Sequence, residues 1–120
     1  MNKGPDIITD ASNALKPLSD RGIIVMQGWY DKNIHETHVT LWDLGEDEVN
    51  FSDDDAEGIT WPVQVTIFSE NDEIDLAREI KKLMKDNEFS YEGRNADDSK
   101  PEDGIYVKAQ RFSKFYEMEE

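Results

Sequence analysis

The chain has 120 residues, of which 37% are hydrophobic and 34% are charged, and its formal net charge is −15 at pH 7. This charge argues against direct binding to DNA, RNA or an anionic membrane, since each of these would repel the protein. The absence of cysteine excludes disulfides, thiolate metal sites and thiol catalysis. The N-terminus has no apolar signal-peptide segment, and no apolar run approaches the roughly 20 residues that span a bilayer, so we expect a soluble intracellular protein.

The first third of the chain is predicted to form one helix and two strands. Residues 5–18 carry apolar side chains at helical spacing, and Pro17 is expected to mark the end of this helix. Residues 21–30 are an apolar run typical of a strand that is buried on both faces. A turn at residues 31–33 and a second strand over residues 35–44 complete a predicted hairpin.

The second strand begins with a sequence, IHETH, that is close to the zinc-binding H-E-x-x-H motif. Its two histidines are three residues apart instead of four, and on a strand His35 and His38 would point to opposite faces. Two rings on opposite faces cannot share one ion, so we expect no metal site there. We interpret both histidines as solvent-facing residues at the start of the strand.

Residues 45–58 are bounded by glycines and crowded with acidic residues, which predicts a protruding loop or the flexible tip of a hairpin. A third strand follows over residues 59–69, where Trp61, Val63, Val65 and Ile67 alternate with the other side chains. Pro62 cannot donate to a strand ladder, so it suggests an edge position or the beginning of the strand.

Residues 69–89 show the strongest helical pattern, with acidic residues in the first turn and lysines in the last turns. A short strand over residues 89–94, a polar loop over 95–104 and a final strand over 105–116 complete the predicted elements. The last four residues are predicted to be a short flexible tail. We therefore predict one α+β domain over residues 1–120, a mostly antiparallel sheet of four to five strands in a meander, with two helices packed on one face.

The sequence gives little support to catalysis. It contains no P-loop, no dinucleotide-binding glycine motif and no nucleophile elbow. Asp53, Asp54 and Asp55, together with Glu57, could hold a divalent cation, and this leaves a small metal-dependent enzyme as one hypothesis. The segment lacks the ligand spacing of an EF-hand, however, and adjacent carboxylates in a flexible loop bind cations weakly. We therefore expect no enzyme, no catalytic or metal-binding residues and no cofactor.

Two aromatic residues are candidates for an interface. Trp42 and Phe68 have the opposite parity to the inward-facing residues of their strands, which places them on the sheet face that carries no helix. If that face is open, an aromatic patch there marks a contact surface. In the alternative interpretation, a loop or the first helix covers them.

Three stretches of the sequence resemble one protein family in the same order. These are YDKNIHETHVTLWDLGEDE, DDDAEGITWPVQVTIFSENDEIDLAREIKKLMKDNEF and IYVKAQRFSKFY, together with ALKPL in the N-terminal helix. They are similar to the small tail-completion, or tail-terminator, proteins of long-tailed bacteriophages and prophages of Gram-positive hosts. The resemblance extends over about residues 5–116.

The resemblance implies a structural protein of the virion tail that is assembled in the cytoplasm of a bacterial host. Such a protein caps the head-proximal end of the tail tube, stops its polymerisation and helps to join the tail to the head. The implied partners are other copies in a homo-hexameric ring, the tail tube protein and the head connector or head–tail joining protein. Neither specific nucleic-acid binding nor membrane binding is implied.

The acidity allows two functional hypotheses. In a ring around a DNA passage, the acidic loop of residues 45–58, with Asp53, Asp54, Asp55 and Glu57, could line a lumen that repels sliding DNA or could touch the tail tube. The alternative is an acidic inhibitor that mimics DNA, of the anti-restriction or anti-CRISPR type. Composition does not separate these two from an ordinary solvated surface.

Overall fold

The computed structural model describes residues 6–28, 34, 36–45, 47–50, 57–94 and 105–117. These residues form three helices and six strands. In chain order the elements are α1 (Ile7–Ala14), α2 (Lys16–Asp20), β1 (Ile24–Gln27), β2 (His38–Asp43), β3 (Asp47–Asn50), β4 (Glu57–Ser69), α3 (Ile74–Asp86), β5 (Ser90–Arg94) and β6 (Tyr106–Glu117). None of the helices in the described ranges has the length and apolarity that a membrane span requires.

The strands form one mixed, mostly antiparallel sheet, which confirms the predicted α+β class. Its order is β1-β2-β4-β6-β5, and β3 pairs with the first residues of β4. The long β4 is therefore the central strand, flanked by β2 and β6 on its two sides. The sheet is not the simple meander that the sequence predicts, because β4 separates β2 from β6 and the first two strands do not form a hairpin.

The predicted hairpin of β1 and β2 is wrong, since these strands are parallel and pair Ile24 with His38 and Gln27 with Leu41. A hairpin turn usually has two to five residues, whereas the whole of residues 28–37 connects these strands and is long enough to return the chain to the same end of the sheet. As an edge strand, β1 is half-buried, not buried on both faces.

The helices pack on one face of the sheet, as predicted. The core on this face contains apolar residues of α1, α2 and α3 together with the inward residues of the central strands, among them Val39, Leu41, Val63, Val65, Ile67 and Phe112. Trp61 packs at the margin of this core and donates from Nε1 to Asp43 Oδ1 at 2.7 Å. The alternation predicted for β2 and β4 is therefore confirmed.

The N-terminal helical segment is divided in two. Asp6 caps α1 by accepting hydrogen bonds from the backbone N–H groups of Ile8 and Thr9, at 3.1 and 3.3 Å. Pro17 lies in the first turn of α2, where its missing N–H group needs no partner, so it begins a second helix instead of ending the first.

Pro62 lies within the central strand, so the prediction of an edge or initial position is wrong. Its carbonyl oxygen accepts a hydrogen bond from Leu44 N at 3.2 Å, on the side where β2 has ended at Asp43 and β3 has not begun. In a strand, the N–H and C=O groups of one residue point to the same side. The donor that proline lacks therefore falls at the gap between two neighbouring strands.

Two side-chain pairs connect distant elements on the helix side. The Arg21 guanidinium binds the Glu79 carboxylate of α3 at 2.5 Å, and this hydrogen bond holds the pKa of Glu79 below its usual value. Tyr116 of β6 donates to Asp10 of α1. Burial, and then this hydrogen bond, raise the pKa of Tyr116, which keeps the phenol neutral as a donor.

Glu88, which follows the end of α3, has a backbone conformation that is unfavourable for a residue with a Cβ atom. Glu88 has φ +74°, while Phe89 N and Glu88 N bond to the carbonyls of Met84 and Lys85 in the manner of a Schellman cap. Glycine adopts this left-handed conformation without the steric cost of a Cβ, so Glu88→Gly is expected to raise the free energy of unfolding by about 1 kcal/mol. Urea unfolding measures the change, and Glu88→Ala, which keeps the Cβ, should give no such gain.

Candidate interaction surface

The face of the sheet opposite the helices divides into a buried half and an open half. Directly paired residues on this face form successive rows across β2, β4 and β6. Three rows, running from the buried half toward the open half, are His38–Phe68–Val107, Thr40–Thr66–Ala109 and Trp42–Gln64–Arg111. Every residue of the first two rows is buried, and exposure begins in the third row, with Trp42 and Arg111.

The buried half is built around His38 and Phe68. Their rings stack with centroids 5.3 Å apart, and His38 Nδ1 lies 3.0 Å from the carbonyl oxygen of Glu36. The prediction that His38 faces solvent is therefore wrong, because the aromatic side chain opposite it in β4 packs against its ring. His35 lies outside the described residues.

The open half carries exposed apolar side chains. Trp42 is 45% exposed, Phe115 is 50% exposed, and Leu44 is also exposed. The Phe115 ring lies across Gly58 of β4, where a Cβ atom would overlap it. Glycine at position 58 therefore makes room for an aromatic ring on the outer surface of the sheet.

A groove of about 490 Å³ opens on the same half, lined by Leu44, Thr60, Pro62, Glu92, Arg111 and Ser113. Two hydrogen bonds hold its polar groups: Arg111 Nε donates to Gln64 Oε1 at 3.4 Å, and Ser113 Oγ donates to Glu92 Oε2 at 2.6 Å. Apolar side chains beside fixed polar groups are typical of protein contact surfaces. We define Trp42, Leu44, Phe115 and the residues lining this groove as the open-face surface.

The described residues offer no alternative site for metal chemistry. Within those ranges, no group of three or more His, Asp or Glu residues is arranged to hold a metal ion. One cavity of about 370 Å³ has an acidic lining that includes Glu73, Asp75 and Glu79. Glu73 accepts hydrogen bonds from Ser69 and Thr37, and Glu79 is bound to Arg21, so two of its three carboxylates have protein partners.

Comparison with known proteins identifies the fold but no family. No family model and no curated protein matches this sequence. The chain is similar to a chain in the solved structure described as "Virion of native gene transfer agent (GTA) particle". The match has a TM-score of 0.63 and 12% sequence identity, and it covers 93% of this chain and 95% of the other. At this identity the two chains share a fold over nearly their whole lengths.

The structure describes two of the six predicted interface residues completely. Trp42 is exposed as expected, but Phe68 is 1% exposed, so Phe68 is buried on the face opposite the helices and adds no area to an aromatic patch. Glu57 begins β4, with its backbone paired to Asn50. The other three predicted residues, Asp53, Asp54 and Asp55, lie outside the described residues.

Both ends of the acidic segment 45–58 lie in strands, so the predicted loop is too long. Asp47–Asn50 pairs with Glu57–Thr60, so both ends of the segment belong to strands of one antiparallel ribbon. Residues 51–56 lie outside the described part of the chain. Of the two predicted alternatives, the hairpin agrees with these paired ends.

Sequence reasoning missed the contribution of Phe115 to the open-face surface. Side chains alternate along strand β6, with Val107 and Ala109 on the face opposite to Lys108 and Gln110. It is the polar set that faces the helices, because Lys108 Nζ binds Asp72 at 2.8 Å and Gln110 Nε2 donates to the backbone of α3 at 3.2 Å. Continuing the same alternation to residue 115 would have placed Phe115 on the open face, the face that also carries Trp42.

Proposed function

We propose that the chain is a structural virion protein that caps the head-proximal end of a long phage tail. In this role it ends the polymerisation of the tail tube and helps to join the tail to the head. The observation that carries the proposal is the fold shared with a chain of a virion particle over 93% of this chain. The sequence resemblance to tail-completion proteins supports the more specific role.

The open-face surface supplies the kind of contact that such a protein needs. A subunit at the end of a tube must bind neighbours through surfaces that are preformed in each copy. Trp42 and Phe115 keep about half of their area exposed on a rigid sheet, which limits the entropy lost when a partner binds. We propose that this surface contacts the tail tube protein or the head connector, and that the copies form a closed ring.

A DNA-mimic inhibitor has less support from the described residues. A mimic would present carboxylates in rows at phosphate-like spacing, free of neighbouring cations. Here Asp20 is bound to Lys16 at 3.1 Å and Asp86 to Lys82 at 3.0 Å, both on exposed helix surfaces. The exposed side of α3 also carries more basic than acidic residues, which would weaken a phosphate-like potential.

Deleting the gene from the phage or prophage that encodes it tests this function. The expected result is tail tubes of variable and excessive length that are not joined to heads, since nothing would stop their polymerisation. Electron microscopy of lysates measures tail length and the fraction of joined particles, and supplying the protein in trans should restore both. Deletion that leaves tails of uniform length joined to heads would exclude the proposed role.

A further inference from the structure

The exposed side of helix α3 concentrates positive charge on an otherwise acidic chain. The protein has 13 Lys and Arg residues against 28 Asp and Glu residues. A shallow groove of about 340 Å³ on α3 is lined by four of these basic residues, Arg78, Lys81, Lys82 and Lys85, together with Asp86. Residues three and four apart share one side of a helix, so these cations form a single surface, which we name the basic face.

Lys85 is the lysine of the basic face that is most available to a partner. It is exposed and forms no ion pair with the part of the chain that the structure describes. Lys82, by contrast, is bound to Asp86 at 3.0 Å. Lys81 is half-buried, with its Nζ 4.1 Å from the centre of the Tyr91 ring. Lys85 can therefore reach a neighbouring molecule without breaking a contact of its own.

A cavity of about 370 Å³ at the other end of α3 has an excess of negative charge, and we name it the acidic cavity. Its lining includes Glu73, Asp75 and Glu79. Arg21 is bound to Glu79 at 2.5 Å and offsets that carboxylate. Glu73 accepts hydrogen bonds from hydroxyl groups only, which leave its charge in place. Asp75 is exposed and has no ion pair within the described ranges, so two carboxylates of the cavity have no neutralising cation there.

The shape and chemistry of the acidic cavity suit a long side chain with a cationic end. Ile23 and Leu76 add apolar walls to its carboxylate lining. A lysine side chain combines an aliphatic stem with an ammonium group. Its stem can lie against the apolar walls while the ammonium group reaches the carboxylates.

The basic face and the acidic cavity are too far apart for Lys85 to fill the cavity of its own copy. Asp75 is the second residue of α3 and Lys85 is the last but one. Ten residues at a rise of 1.5 Å place them about 15 Å apart along the helix axis. Arg78 lies only one turn from Asp75, so a carboxylate of its own copy offsets part of its charge. Complementary surfaces at separate places on one subunit suit a head-to-tail contact between copies, which can close into a ring.

We infer that Lys85, on the basic face of one copy, enters the acidic cavity of a neighbouring copy and pairs there with Glu73 and Asp75. The contact deepens the proposed function, because it names the surfaces by which a ring would close, and it rests on that function only for the number of copies. It leaves the open-face surface for the tail tube protein or the head connector. Since both surfaces are open to solvent, salt should weaken the contact.

Light scattering of the full chain across a concentration series, at about 50 mM and about 500 mM salt, tests the contact. Lys85→Glu and Asp75→Lys are each expected to weaken association at low salt at least about tenfold, because like charges then face each other. Two exposed substitutions are the matched controls, and neither should weaken association. Lys16→Glu on α2 makes the same change of charge as Lys85→Glu, and Glu88→Lys, just after α3, makes the same change as Asp75→Lys.

Mixing the Lys85→Glu and Asp75→Lys variants is the most specific test. Each variant keeps one wild-type surface that fits the other variant, and the two reversed surfaces fit each other, so association should return in the mixture. A mixture that stays monomeric, a wild type that is monomeric at low salt, or equal association of Asp75→Lys and Glu88→Lys would overturn the inference. Binding of a duplex DNA oligonucleotide that Lys85→Glu abolishes, without self-association, would also overturn it and assign the basic face to nucleic acid.

The outcomes for this contact and for the proposed function are independent. A monomeric wild type whose gene deletion still gives overlong tails would remove the contact between copies and keep the tail-capping role. Salt-sensitive association with normal tails after deletion would do the reverse. Circular dichroism of each variant shows whether the exposed substitutions leave the fold intact.

Discussion

Phe112→Ala is expected to lower the free energy of unfolding by about 3–5 kcal/mol, which is a large part of the roughly 5–15 kcal/mol that stabilises a domain of this size. The Phe112 side chain is completely buried on the helix face of β6 and lies opposite Val63 in the central strand. Its ring packs at 5.5 Å from that of Tyr91 in β5. Removing the ring would leave a cavity between the sheet and α3. The neighbouring strands β4 and β5 are held in the sheet, so they cannot move in to fill it. Urea unfolding followed by circular dichroism measures the loss.

Phe115→Ala is the matched control for this prediction. Phe115 is on the same strand, but its opposite parity places it on the open face, where it is 50% exposed. The same chemical change there should cost less than about 1 kcal/mol, because little surface is removed from the interior. Equal costs at the two positions would contradict the assignment of the two faces of β6.

Alternation in the sequence predicted which residues share a face, but it could not predict which strands are neighbours. Val39, Leu41, Val63 and Val65 have the predicted inward orientation because a period of two fixes the side of the sheet. Strand partners depend instead on long-range packing and on the path of the connections. The connection over residues 28–37 was long enough for either a hairpin or a parallel return, and the sequence favoured the wrong one.

The prediction for the interaction surface was limited in the same way. Parity placed both Trp42 and Phe68 on the face without helices, and the structure agrees. The alternation of a strand shows which face a side chain is on, but it does not show whether that part of the face is buried. Phe68 lies at the buried end of this face, where the His38 ring stacks on it. Alternation also does not show which face of β6 is inward, because Lys108 and Gln110 face α3 and bind partners there that the sequence does not reveal.

Trp42→Asp is expected to impair tail capping strongly while the domain remains folded. Trp42 is the largest exposed apolar side chain of the open-face surface, and tryptophans that become buried at protein contacts commonly contribute at least about 2 kcal/mol to binding. That loss corresponds to a roughly 30-fold weaker contact, and a carboxylate adds a desolvation cost. Purified variant can be titrated into tails and heads from a strain lacking the gene. The concentration that gives half-maximal joining should rise about 30-fold.

Ile74→Asp tests whether the effect belongs to the open face or to any loss of exposed apolar surface. Ile74 is 48% exposed, close to the 45% of Trp42, but it lies in the first turn of α3 on the helix side of the sheet. Near-normal joining with Ile74→Asp, beside weak joining with Trp42→Asp, would assign the contact to the open-face surface. If both variants join normally, the open-face surface is not the contact through which the protein joins tails to heads.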